Sequence, residues 1–420
     1  MEMVQVVFLT VLMFFVLVTV HEWGHYYFAK RAGILVREFA IGFGPKLFSY
    51  KRNETQFTLR LLPFGGYARM AGEDPEIIEI GSGQTIAVRL GQDNKVKTIY
   101  LDSLDTRRNV IRGEAQYTDL ENNLQIRLDV DGDVTTYEVH PQAMMIRGGQ
   151  QTQIAPKDRQ FGSKTVGQRS LAIFAGPVMN FLLAFVLFAI HLQMVGVPVE
   201  VRVGDISPNM PAQEAGLQKG DIVESINGEK IGADYQKMIT MTSESNGKAM
   251  KWVIIRDNQM IDFTLTPRSM EGQEGAKIGI TPQMPSRSAT IGETITGAGN
   301  AMVSTTKAIF VGFKQLISQF NMDDIGGPVR TFEMTGQIAK QGIEYLTYWA
   351  AILSLYLGIF NLLPIPALDG SRLVFLGVEA VRGKPVDPGR EGMVHFVGFA
   401  MLFLLMIVVT YNDILRLISG

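Results

Sequence analysis

The stretch VTVHEWGHYYFAK, residues 18–30, sets two histidines and a glutamate at the end of a nearly charge-free apolar run that begins at Val4. A helix needs about 20 apolar residues to cross roughly 30 Å of hydrocarbon, and Val4–Val20 running into this motif is close to that length. A carboxylate at the centre of such a span costs on the order of 2.5–3.5 kcal/mol, so Glu22 points to a function at that depth. His21 and His25 stand four apart, which on a helix puts both on one face. Two neutral imidazoles at that spacing can grip one metal ion, with Glu22 near enough to take a proton from water on the ion. MEMVQ carries no positive n-region and no A-x-A-like site follows, so the run reads as a span and not as a signal peptide.

Three further apolar runs, Leu171–Val197, Tyr345–Leu368 and Met393–Thr410, are also near spanning length. They account for the block-like distribution of the 46% hydrophobic residues in a chain of 420. With 39 Lys+Arg against 41 Asp+Glu the chain has no basic footprint for nucleic acid. Cysteine is absent, which excludes disulfides, thiolate ligands and a cysteine nucleophile. Any metal must sit on His, Asp or Glu.

Lysines and arginines gather after the first run (Lys30, Arg31, Arg37, Lys46, Lys51, Arg52), before the second (Lys157, Arg159, Lys164, Arg169) and between the third and fourth (Arg372, Arg382, Lys384, Arg390). Those loops are predicted to be cytoplasmic, with both termini and 199–344 outside. The first and third spans then both begin outside. Asp369, in GIFNLLPIPALDG (358–370), therefore comes to the level of His21 and His25 and is the candidate third ligand. Pro364 and Pro366 break the helix there and let Asp369 turn inward; the alternative is a plain Asp-Gly turn capping the span. His140 and His191 lie in the wrong compartment or at the wrong level, and His395 is on the right side but stands alone.

Between the first two spans, GFGP and PFGG bracket period-two alternation such as Gln56-Phe57-Thr58-Leu59, the pattern of β-hairpins. Residues 75–155 carry short alternating runs (TIAVRL, VKTIYL, LQIRLDV, VTTYEV) and read as a β-rich regulatory or spacing domain. Residues 291–320 place Met302, Thr306, Ile309, Phe313, Leu316 and Phe320 at helical spacing, an amphipathic helix for packing or a membrane surface. IGGPVRTF (325–332) reads as a turn before the third span. Asn180 and Asn361 are polar residues in apolar spans, available to bond substrate backbone or an oxyanion, or to hold helices together.

VEVRVGDISPNMPAQEAGLQKGDIVESINGEKI resembles a PDZ domain, with a helix at AQEAGL and a strand and turn at KGDIVESING. HEWGH in a first span, FAGPVMN (174–180) in the second, the PDZ-like module and NLLPIPALDG together resemble the site-2 protease family of intramembrane zinc metalloproteases. The bacterial RseP/RasP/Eep group fits best, and RAGILVREFAIGFGP and LLPFGGYARMAGEDPE look like its Gram-positive members. The chain has one such module where Gram-negative members have two. The resemblance implies Zn2+ on His21, His25 and Asp369, Glu22 as catalytic base, and Asn361 and Pro364 as substrate-handling residues. The hairpin that includes Gly65 and Gly66 offers a strand edge to unwound substrate. It further implies a multi-pass protein of the bacterial plasma membrane, with its site near the cytoplasmic face and its PDZ domain extracytoplasmic. The expected partners are the lipid bilayer and membrane-protein substrates, such as pre-trimmed anti-sigma factors or signal-peptide remnants.

The expected fold is a polytopic α-helical membrane protein of about four transmembrane helices, with a membrane-associated β-hairpin region, a cytoplasmic β-rich insertion and one extracytoplasmic PDZ domain. The divisions are a first span with HExxH (1–30), the hairpin region (31–74), the insertion and linker (75–168) and a second span (169–198). The PDZ domain (199–284), an amphipathic helix with its connection (285–344), a third span (345–370), a loop (371–392) and a fourth span with tail (393–420) follow. Two other classes use similar residues: an ion pathway, which more often has inverted repeats not found in this chain, and a PDZ-bearing scaffold with a non-catalytic metal site.

Overall fold

The computed structural model describes residues 3–73, 80–269, 275–319 and 326–419; Asp74 of the hairpin region, 75–79 of the insertion, 270–274 of the PDZ division, Phe320 and Ile325 lie outside them. Helices run over α1 (Met3–Arg31), α2 (Val166–Val195), α3 (Pro211–Glu214), α4 (Tyr235–Ser243), α5 (Ile291–Ser318), α6 (Pro328–Gln341), α7 (Ile343–Asn361), α8 (Asp369–Arg382) and α9 (Pro388–Ser419). The chain divides into two compact units, Met1–Leu187 with Met302–Gly420, and Phe188–Ala301. Among the described residues, four helices are long and apolar enough to cross a membrane: Met3–Arg31, Val166–Val195, Ile343–Asn361 and Gly389–Arg416.

Within the first unit, Val6, Met13 and Leu17 of α1 pack with Ala339 of α6 and with Leu346 and Ala350 of α7. α1 meets α2 backbone to backbone, since a Cβ on Gly24 would stand 2.5 Å from the Ala175 carbonyl oxygen. Only a residue without a side chain permits that approach.

Several helix boundaries differ from the sequence reading, and the segment read as a loop at 371–392 is mostly helical, in α8 and the start of α9. The third span ends at Asn361 rather than Leu368, because Pro364 and Pro366 lack the N–H a helix requires and clash with the preceding turn. Residues 362–368 form an irregular loop in which Ala367 adopts a left-handed φ of 76°, and Asp369 opens α8. The segment read as a turn at Gly326-Gly327-Pro328 instead starts α6 with proline in its first turn, where the missing N–H costs nothing. Asp413 of α9 accepts from the Gly327 and Arg330 N–H groups at 3.3 and 3.0 Å, supplying the cap that Gly327 has no side chain to give.

β1 (Val36–Arg52) and β2 (Thr55–Met70) form the hairpin, turning at Asn53 with φ 55°. Phe39 pairs with both Ala68 and Phe57, and Ala40 with both Tyr67 and Thr58. The start of β1 is therefore central and Gly66–Met70 is an outer strand. Leu47, Phe48, Leu61 and Leu62 leave apolar side chains exposed. In the insertion, β3 (Thr85–Leu90), β4 (Val96–Tyr100), β5 (Ile111–Asp119), β6 (Gln125–Val130), β7 (Asp133–Arg147) and β8 (Gln150–Gln153) pair in the order β4-β3-β5-β6-β7-β8. A parallel β4–β7 pairing, with Thr98 opposite Met144, closes β3 to β7 on themselves. Closure removes free strand edges, and Ile86, Ile99, Ile126 and Leu128 fill the interior.

The second unit carries a sheet whose strands lie in the order Gln259–Leu265, Met250–Arg256, Ile222–Ile226, Arg202–Ile206, Ile280–Gln283. Trp252, Val203, Val223 and Ile254 are wholly buried beneath it. The KGDIVESING strand falls where the sequence places it, as Ile222–Ile226, whereas the helix read at AQEAGL is the single turn α3, which ends at Glu214.

Candidate active site

The C-terminal third of α1 buries His21, Glu22 and His25. The proline-broken loop turns the first residue of α8, Asp369, toward them. Asp369 Oδ2 lies 3.3 Å from both His21 Nε2 and His25 Nε2, and the two Nε2 atoms are 3.2 Å apart. Donors bound tetrahedrally at about 2.0 Å from one zinc ion stand about 3.3 Å from each other, so this triangle fits the edges of one zinc coordination sphere. The donor set, two imidazoles and a carboxylate, suits zinc in a chain without cysteine.

α2 orients both rings. His25 Nδ1 donates to the Ala172 carbonyl oxygen at 2.9 Å; a carbonyl only accepts, so the proton is on Nδ1 and the Nε2 lone pair faces Asp369. Gly176 makes room for that ring, because a Cβ there would lie 2.3 Å from His25 Nε2. Asn180 Nδ2 meets His21 Nδ1 at 3.2 Å.

A cavity of about 490 Å³ opens on this cluster. The strand Gly66–Met70 forms one wall, and Asn361, Glu73 and Arg372 contribute others. Gly66 sits directly on the glutamate, since a Cβ there would be 2.9 Å from Glu22 Cγ. Of the residues singled out for substrate, Gly66 and Asn361 line this cavity, whereas Gly65, Pro364 and Asn180 do not. Gly65 backs onto the Phe43 ring, Asn361 Nδ2 bonds the Leu357 carbonyl oxygen at 3.0 Å, and Pro364 lies within the loop that ends α7.

Several contributors escaped the sequence reading. His395, weighed there only as a ligand, accepts the Ala367 N–H on Nδ1 at 3.1 Å and so steadies the loop beside Asp369. Arg372, one turn beyond Asp369, pairs with Glu73 and packs over the Phe161 ring at 5.5 Å. Arg169 flanks the same ring at 5.9 Å and pairs with Glu379 of α8. The paired basic and acidic types were visible in the sequence, but their partners are hundreds of positions away.

Two histidines and a buried glutamate on a long apolar helix, a third donor from the first residue of α8 and a strand-walled cavity define a metal-dependent peptidase built against membrane-type helices. Residues 9–405 match the profile of Peptidase family M50, and the chain belongs to that family. It is 45% identical over 412 residues to the zinc metalloprotease RasP of Geobacillus kaustophilus, covering 96% of each chain. It is 43% identical over 420 residues to the regulator of sigma-W protease RasP of Bacillus subtilis, covering 99% of each. Among solved structures, the PDZ domain of an SdrC-like protein from Listeria monocytogenes is 20% identical, covering 20% of this chain and 86% of that one, with a TM-score of 0.19. The chain is thus a zinc metalloprotease, with His21, His25 and Asp369 as its candidate metal site.

Proposed function

We propose that this chain is an intramembrane zinc endopeptidase of the bacterial cell membrane that cleaves transmembrane segments of other membrane proteins near the cytoplasmic face. The observation that carries the reading is the 3.2–3.3 Å triangle of His21, His25 and Asp369 donors beside Glu22 at the end of an apolar helix. His21, His25 and Asp369 hold the zinc, and Glu22 is the catalytic base. Bound zinc supplies Lewis-acid polarisation of the scissile carbonyl and lowers the pKa of water toward about 7. Glu22 takes the proton from the attacking water and passes it to the leaving nitrogen. Gly66 packs on Glu22 and holds it at the cavity wall.

A helical substrate hides its peptide bonds and must unwind locally before attack. The outer strand Gly66–Met70 supports a role in holding the unwound stretch by strand addition. Asn361, on the cavity wall at the end of α7, is placed to bond the same substrate. The PDZ domain, 199–284, acts outside the cytoplasm as a filter admitting substrates already shortened. The Bacillus subtilis relative is a regulator of sigma-W protease, which favours anti-sigma factors as one substrate class, with signal-peptide remnants as another.

The test is cleavage of a model transmembrane substrate in proteoliposomes by wild type and Glu22→Gln, with the cut site mapped by mass spectrometry. The expected result is a cut within the membrane segment by wild type, and a loss of at least 10²-fold in Glu22→Gln with zinc content unchanged. Equal cleavage by both proteins would sink the assignment of the base. Zinc without Glu22-dependent cleavage would favour a scaffold.

A further inference from the structure

Asn180 is wholly buried in α2 and does not line the cavity that receives substrate, which His21 does. Its main-chain carbonyl accepts from Ser354 Oγ at 2.8 Å, which ties α2 to α7. That side chain meets His21 Nδ1 at 3.2 Å, while the carboxamide oxygen Oδ1 is buried with no hydrogen-bond partner. A buried acceptor left unmade costs on the order of 1–3 kcal/mol, so an unpartnered Oδ1 beside a ring nitrogen calls for an explanation.

The explanation lies in what a metal asks of His21. A histidine that binds zinc through Nε2 keeps its proton on Nδ1, and that N–H requires an acceptor. His25 has one in the Ala172 carbonyl oxygen. The group at His21 Nδ1 is Asn180, and a half-turn of its carboxamide exchanges nitrogen for oxygen at one place. The turn brings the unpartnered acceptor onto Nδ1–H and leaves the backbone where it is.

We propose that Asn180 is a positioning residue: its carboxamide oxygen accepts from His21 Nδ1–H, holds the ring in the tautomer that aims Nε2 at zinc, and makes no contact with substrate. α2 then supplies the acceptor for both zinc histidines, one from its backbone and one from a side chain. The inference rests on His21 being a zinc ligand, as in the reading above.

The test measures zinc affinity of the full-length protein in detergent micelles by competition with a chromophoric chelator, for wild type, Asn180→Leu, Asn180→Asp and His25→Ala. Loss of the acceptor in Asn180→Leu should weaken zinc about 10–100-fold, while Asn180→Asp, which keeps an oxygen acceptor, should stay within about threefold of wild type. Cobalt substitution should show a shifted d–d spectrum for Asn180→Leu and a near wild-type one for Asn180→Asp. Should Asn180→Leu fail to fold, Asn180→Ala removes the same oxygen and carries the comparison. Unchanged zinc affinity in the acceptor-less variant overturns the proposal even if cleavage falls, since that pattern assigns Asn180 to substrate. Equal weakening in Asn180→Asp and Asn180→Leu also overturns it, in favour of helix packing. His25→Ala separates the two levels: zinc affinity intact in that variant would remove the metal centre itself, and the proposal with it.

Discussion

A Cβ added to Gly66 would sit 2.9 Å from Glu22 Cγ, 2.8 Å from the Ala40 carbonyl oxygen and 3.0 Å from Val18 Cγ1. Strand, Glu22 and helix α1 therefore meet at one point with no spare volume. Gly66→Ala is expected to push Glu22 away from the reacting atoms without touching a zinc donor. Since a misplacement of about 1 Å can cost on the order of 10²-fold in rate, kcat should fall by that order while zinc stoichiometry stays at the wild-type level. Parallel kinetics and metal analysis check it, and loss of zinc would show that Gly66 supports the metal site instead. His21, Glu22 and His25 were legible because their spacing is local and matches one helix face. Gly66 was legible as part of a hairpin edge for substrate but not as a neighbour of Glu22: that contact joins positions far apart in the chain, and a glycine carries no side chain to announce it. The same holds for Gly176 under the His25 ring and for the Ala172 carbonyl, a backbone group with no signature in residue type.

At the scale of elements, the loop between α7 and α8 is held from α9. A Cβ on Gly398 would overlap Pro366 at 2.2 Å, and His395 Nδ1 receives the N–H of Ala367, a residue in the left-handed region that disfavours side chains. Removing the acceptor with His395→Leu breaks that exposed hydrogen bond and is expected to lower stability by about 0.5–1.5 kcal/mol, with weaker zinc binding because Asp369 is two residues on. Thermal unfolding and chelator competition measure the two effects; unchanged values in both would free the loop from α9. The prolines announced a break in the sequence, but not that a separate helix would brace it.

A second element-scale contact ties the hairpin turn to the strand leading out of the insertion. Arg159 grips Glu54 through two bonds of 2.5 and 2.6 Å, joined by Gln153 at 2.7 Å. The hydrogen bonds from Arg159 hold the Glu54 carboxyl down to about 2 from its ordinary 4.5, against the opposing effect of burial. A carboxyl depressed in the folded state stabilises it fully above the ordinary value, and that contribution drains away as pH falls from about 4.5 through about 2. The melting temperature of wild type should exceed that of Glu54→Gln at neutral pH, with the gap closing across that acid window. A gap independent of pH would remove the ion pair as its cause.

At the scale of the whole molecule, four long apolar helices could be read directly from the sequence, because spanning length and charge depletion are properties of contiguous residues. The closed ring of β3 to β7 could not: alternation marked several of its strands, but the parallel β4–β7 pairing that seals it is non-local. The zinc site lies between these cases. HEWGH is local and LDG is local, and what joined them was the distribution of lysine and arginine along the chain, which put two distant segments at one depth. In the folded chain those segments bring three donors to within 3.3 Å of one another. The most direct test is zinc content of purified full-length wild type and Asp369→Ala, with helical content measured on the same samples. One zinc per chain in wild type and its loss, with cleavage, from a normally helical Asp369→Ala is the expected result; an undiminished zinc ion in that variant would contradict a site completed by Asp369.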